Sequence, residues 1–112
     1  MQLDLALLSE LQEVMDDEFV ELIETYIDDS TLRLAQVKDA VERGDGVGLR
    51  QSAHSMKGSS SNIGATSLAE ILKLLEAAGM HNNLSEAQGL MDAVCAEHFH
   101  VCEALKKLYL GT

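Results

Sequence analysis

Apolar residues recur along this chain at helical rather than strand spacing. Leu7, Leu8, Leu11 and Met15 mark one stripe and predict a short amphipathic helix over Leu3–Met15. Ile23, Ile27, Leu34, Val37 and Val41 keep near-heptad spacing, with Ser30 at the one weak position. They predict a long helix from about Asp17 to Arg43. Asp16, Asp17 and Glu18 suit its N-terminus, where carboxylates cap free N–H groups and favour the dipole. Asp28-Asp29-Ser30-Thr31 marks where a kink would fall. Gly44-Asp45-Gly46-Val47-Gly48 is the first clear turn. Beyond it, Leu49, Ala53, Met56 and Ile63 share one side of a helix from about Val47 to Ile63, and Gly64 suits its C-terminal cap. Leu68, Ile71, Leu72 and Leu75 form the buried face of a helix that starts at Thr66 or Ser67 and is ended by Gly79 to Asn83. Asn83-Leu84-Ser85-Glu86 is a capping-box pattern with Asn in place of Ser or Thr. It opens a last helix from about Leu84 to Leu110, in which Leu84, Ala87, Met91, Val94, His98, Val101, Leu105 and Leu108 hold a/d spacing.

Four long helices joined by short links imply antiparallel neighbours. The expected architecture is all-α: an up-down-up-down antiparallel four-helix bundle with the short N-terminal helix as a lid across one end. No internal repeat or linker interrupts the chain, so residues 1–112 are expected to form a single domain; the missing linkers at both ends favour a free-standing protein, and a monomer is expected. The chain has no proline and few aromatic residues, which agrees with a helical fold. A net charge of −11 argues against nucleic acid and against anionic membrane surfaces as partners. No apolar run approaches the roughly 18 residues that span a bilayer, and no basic, then apolar, leader opens the chain. The expected location is cytoplasmic. Two cysteines do not make a disulfide framework.

Candidate chemistry concentrates on the helix that follows the glycine turn. His54 points about 140° away from the middle of the core stripe, with Arg50, Lys57, Gly58 and Ser61 clustered around it. A lone surface histidine is ordinarily just solvated. Gly58 is harder to explain that way, since glycine in a helix interior costs about 1 kcal/mol relative to alanine. A bare patch beside an exposed imidazole lets another protein's backbone approach closely. Elsewhere, Cys95, His98 and Cys102 share one helix face at zinc-ligand chemistry. Their position on or beside the core seam favours packing over metal. The turn glycines follow no strand, which excludes a dinucleotide loop.

The run Ala53-His54-Ser55-Met56-Lys57-Gly58 with Ile63-Gly64 resembles the phosphoacceptor signature of histidine phosphotransfer (HPt) domains. Asp17-Glu18-Phe19, Gly44-Asp45 and Leu75-Glu76 extend the resemblance over nearly the whole chain. The resemblance implies a bacterial two-component phosphorelay. His54 would accept a phosphoryl group from a receiver-domain phospho-aspartate and pass it to another receiver. Lys57, one turn away, would supply the cation that the phosphoryl charge needs. Arg50, Gly58 and Ser61 would face the partner, a receiver of a hybrid sensor kinase or of a response regulator. Magnesium is expected in the partner's receiver and no cofactor in this chain, which would be a carrier without kinase activity of its own. Reflecting His54 through the turn near Ala65 lands on Glu76, about 80° from the centre of its own helix's core stripe. A carboxylate there would orient His54 through Nδ1 and leave Nε2 to attack. The rival reading is a helical-bundle adaptor that binds signalling partners without phosphate chemistry.

Overall fold

Residues 1–111, described by a computed structural model, form helices and no strands. The helices are α1 (Leu5–Met15), α2 (Phe19–Arg43), α3 (Gly46–Asn62), α4 (Thr66–Met80) and α5 (Leu84–Leu105). Each of α2 to α5 packs on its neighbour in sequence, and α5 closes the ring against α2. Links of a few residues leave successive helices no choice but to run antiparallel, which gives the up-down-up-down bundle. Ile23, Val37, Leu49, Met56, Leu68, Leu72, Leu75, Val94 and Val101 are fully buried along its axis. Each large aliphatic side chain buried this way contributes about 1.5–3 kcal/mol.

The ends are fixed by local hydrogen bonds. Gly44 closes α2 in the left-handed conformation (φ 68°), and Asp45 Oδ1 then accepts from Gly48 N at 2.9 Å to start α3. Asn83 Oδ1 accepts from Glu86 N at 3.2 Å to start α5. Helix α1 lies over the α3–α4 turn. Asp4 N donates to Gly64 O at 2.8 Å, Gln2 N donates to Ser67 Oγ at 2.8 Å, and Leu8 is buried in the core. This is the lid that the sequence predicts.

Three details depart from expectation. Asp16–Glu18 form a single 3-10 turn, and no side chain there makes a capping bond to α2. Asp28–Thr31 does not interrupt α2: Ser30 Oγ and Thr31 Oγ1 each donate to Ile27 O, at 3.2 and 2.7 Å, inside an unbroken helix. Leu108, placed on the core seam by its spacing, is 53% exposed. After Leu105 the backbone widens into a π-type turn over Lys106–Leu110. The i→i+5 pattern takes up an extra residue and rotates the seam. Tyr109 and Leu110 pack on the core instead, with the Tyr109 ring edge-on to Phe19 at 5.0 Å.

The core carries a few polar groups, all partnered among the described residues. Tyr26 Oη and Ser60 Oγ lie 2.9 Å apart, and burial pushes the Tyr26 phenol up to about 12. Ser30 Oγ lies 2.8 Å from His98 Nε2, and Cys102 Sγ lies 3.4 Å from the same nitrogen. Ser30, the weak position of the α2 stripe, is thus the hydroxyl that satisfies a buried imidazole. Burial holds the His98 pKa below its ordinary 6.5. The unfolded chain then takes up a proton at pH values where the folded chain does not. The stabilisation is fully present above about pH 6.5 and is lost as pH falls below it. Urea midpoints should drop between about pH 7 and 5.5, and His98→Gln should flatten that part of the profile. An unchanged slope in the variant would assign the sensitivity to another group.

Candidate functional site

Helix α3 turns Leu49, Ala53, Met56 and Ser60 inward, and this leaves His54 on its outer face. The His54 side chain is 67% exposed. Because α4 runs antiparallel alongside, Glu76 stands opposite it. Glu76 is 16% exposed and bridges two residues of α3: Oε2 lies 2.7 Å from His54 Nδ1, and Oε1 accepts from Lys57 Nζ at 2.5 Å. The hydrogen bond from Lys57, then the one from His54, hold the Glu76 carboxyl below the usual carboxylate range. An ionised carboxylate only accepts hydrogen bonds, so Nδ1 carries the proton in this contact. The neutral ring then has its lone pair on Nε2, away from Glu76.

Arg50, Gln51, His54 and Glu76 line one polar depression beside the ring. Gly58 is on the same outer face, and a Cβ there would meet nothing within 4 Å. No internal packing therefore calls for glycine at this position; its bareness is directed at solvent. Ser61 is exposed and lies two helical turns beyond His54, about 10 Å along the axis, outside the immediate surroundings of the ring. The antiparallel pair α3 and α4 brings together His54, Lys57, Glu76 and Arg50, with Gly58 adjoining them. Among the described residues, no group of three His, Cys, Asp or Glu side chains is gathered to hold a metal.

Two contributors were not apparent in the sequence. Gln51 lines the depression, its one signal being its place three residues before His54. Gly79 appears in the sequence as a helix-ending residue, yet it lies inside α4, buried against α3. A Cβ there would sit 2.7 Å from Arg50 N and 2.8 Å from Gly46 O. This backbone-to-backbone crossing sets the spacing of α3 and α4, and so the reach from Glu76 to His54. The available signal was a glycine at the end of an otherwise apolar helix pattern.

Residues 21–109 match the sequence model of the Hpt domain. The structure of histidine-containing phosphotransfer protein B (HptB) from Pseudomonas aeruginosa PAO1 is similar at a TM-score of 0.91 and 40% identity. The match covers 94% of this chain and 91% of that one. A comparison with curated proteins returns no match. The chain belongs to the Hpt domain family, the histidine phosphotransfer carriers of two-component phosphorelays. Its function is that of a phosphorelay intermediate, whose partners are receiver domains, and no finding favours the adaptor reading. Among the described residues, no helix is long and apolar enough to cross a membrane.

Proposed function

We propose that His54 is the phosphoacceptor of this carrier and that Glu76 orients it. The observation that carries the reading is the 2.7 Å contact between Glu76 and His54 Nδ1, which leaves Nε2 as the free nucleophile on the exposed face. In the forward step the Nε2 lone pair attacks phosphorus. The P–O bond to the receiver's aspartate breaks, and the carboxylate leaves with the electron pair. Positive charge develops on the ring, where the proton on Nδ1 faces the Glu76 carboxylate. Passing the group to a second receiver reverses these events.

Lys57 contributes positive charge to the site, and Gly58 leaves a flat surface for the partner's backbone. Arg50 and Ser61 face the same partner. The receivers would belong to a hybrid sensor kinase and a response regulator, and their active sites would hold the magnesium that assists transfer. This chain, acting as one domain and as a monomer in the cytoplasm, would need no cofactor and have no kinase activity of its own.

Glu76→Ala tests the orienting role. Single-turnover transfer from a phosphorylated receiver, followed by rapid quench, should slow roughly tenfold, since the ring loses both its fixed tautomer and the countercharge to its proton. Receiver affinity and helical content should be unchanged. Transfer at the parental rate would remove Glu76 from the mechanism.

A further inference from the structure

A second cation stands beside the His54 ring besides the lysine that follows it. Side chains on a helix lean toward its N-terminus and cover the preceding turn. The His54 ring therefore leans over the turn that carries Arg50 and Gln51, and these residues, not Lys57, line the depression beside it. Lys57 is already committed, its Nζ lying 2.5 Å from Glu76. If it left to neutralise a phosphoryl group, the Glu76 carboxylate would be stranded beside a second anion. Arg50, by contrast, is exposed and makes no ion pair among the described residues. The base of its side chain is held firmly, because Gly79 presses the α4 backbone against Arg50 N and Cα. One helical turn separates Arg50 from His54, the spacing at which side chains are neighbours. A guanidinium presents a planar fork that matches two phosphoryl oxygens.

We propose that the Arg50 guanidinium binds the oxygens of the phosphoryl group on His54 Nε2, while Lys57 acts as a positioning residue that holds Glu76. The proposal rests on His54 as the acceptor. It gives the site two cations with separate tasks: one keeps the carboxylate ionised behind the ring, and the other meets the incoming charge in front of it. In a chain of net charge −11, a free cation at this spot also offsets the surrounding negative field.

A small donor separates this role from partner docking. With phosphoramidate, the donor's N–P bond breaks as Nε2–P forms and ammonia departs, with no receiver present. Arg50→Gln should be phosphorylated about fivefold more slowly than the parent and Arg50→Lys at an intermediate rate, with urea midpoints unchanged. In the parent, the Arg50 Nε–H resonance should shift on phosphorylation, and it should still shift in Lys57→Gln. An unmoved Arg50 resonance overturns the proposal. So does an Arg50→Gln variant that reacts normally with phosphoramidate and slowly with a receiver, which would make Arg50 a docking residue only. Label on His54→Gln would instead overturn the acceptor assignment beneath it, so the two failures are distinct.

Discussion

His54→Gln should accept no phosphoryl group from a phosphorylated receiver, while its helical circular dichroism and urea midpoint stay within about 0.5 kcal/mol of the parent. The side chain is 67% exposed, and among the described residues its one hydrogen-bonding partner is Glu76, so the fold does not depend on it. Glutamine can still bond to that carboxylate, but an amide has no nucleophilic lone pair to offer phosphorus. The site holds no substitute, since neither Lys57, whose ammonium is engaged by Glu76, nor Arg50 has a free amine or imidazole. The measurement is transfer of radiolabel, followed on gels kept at neutral or basic pH. Labelling of the variant at the parental rate would place the acceptor elsewhere.

Gly79→Ala should lower stability by about 1–3 kcal/mol, although alanine is the better helix former. The added Cβ would lie 2.7 Å from Arg50 N, 2.8 Å from Gly46 O and 3.1 Å from Arg50 Cα. All three are backbone atoms, and a backbone cannot rotate away as a side-chain tip can. Relief requires α3 and α4 to separate, which also draws Glu76 away from His54. The variant should therefore lose transfer rate as well as stability. Gly89 provides the control: a Cβ there meets nothing within 4 Å, so Gly89→Ala should stabilise by about 1 kcal/mol through helix propensity alone. Urea titrations of the two variants should move in opposite directions. A stabilised Gly79→Ala would show that the helix crossing yields easily.

Much of this was legible in the sequence because it is periodic. The stripes of α2 to α5 repeat at helical spacing, so helix number, order and core faces followed from them, as did the outward placement of His54. Glu76 was reachable for a related reason: in an antiparallel pair with a short turn, positions on the two helices reflect through that turn. Features that depend on atomic approach were not legible. A π-type turn leaves no mark on a heptad pattern, and Leu108 was misplaced by it. Gly79 has the same sequence appearance whether it ends a helix or lets two backbones touch. The acidic cluster at Asp16–Glu18 satisfies the composition of a cap without making one, because capping is a matter of side-chain geometry. Ser30 looked like a gap in a stripe, since its partner His98 is distant in sequence and comes near only in the bundle.

If Glu76 holds Nδ1 and leaves Nε2 to carry the phosphoryl group, the phosphorus must be bonded to Nε2 of His54. Protein labelled with nitrogen-15 in its histidines and phosphorylated by a receiver allows the nitrogen bonded to phosphorus to be read directly, from its scalar coupling to phosphorus-31. A single phosphohistidine is expected, at His54, with the coupling on Nε2 and the proton still on Nδ1. Coupling on Nδ1, or on a nitrogen of His81, His98 or His100, would contradict it.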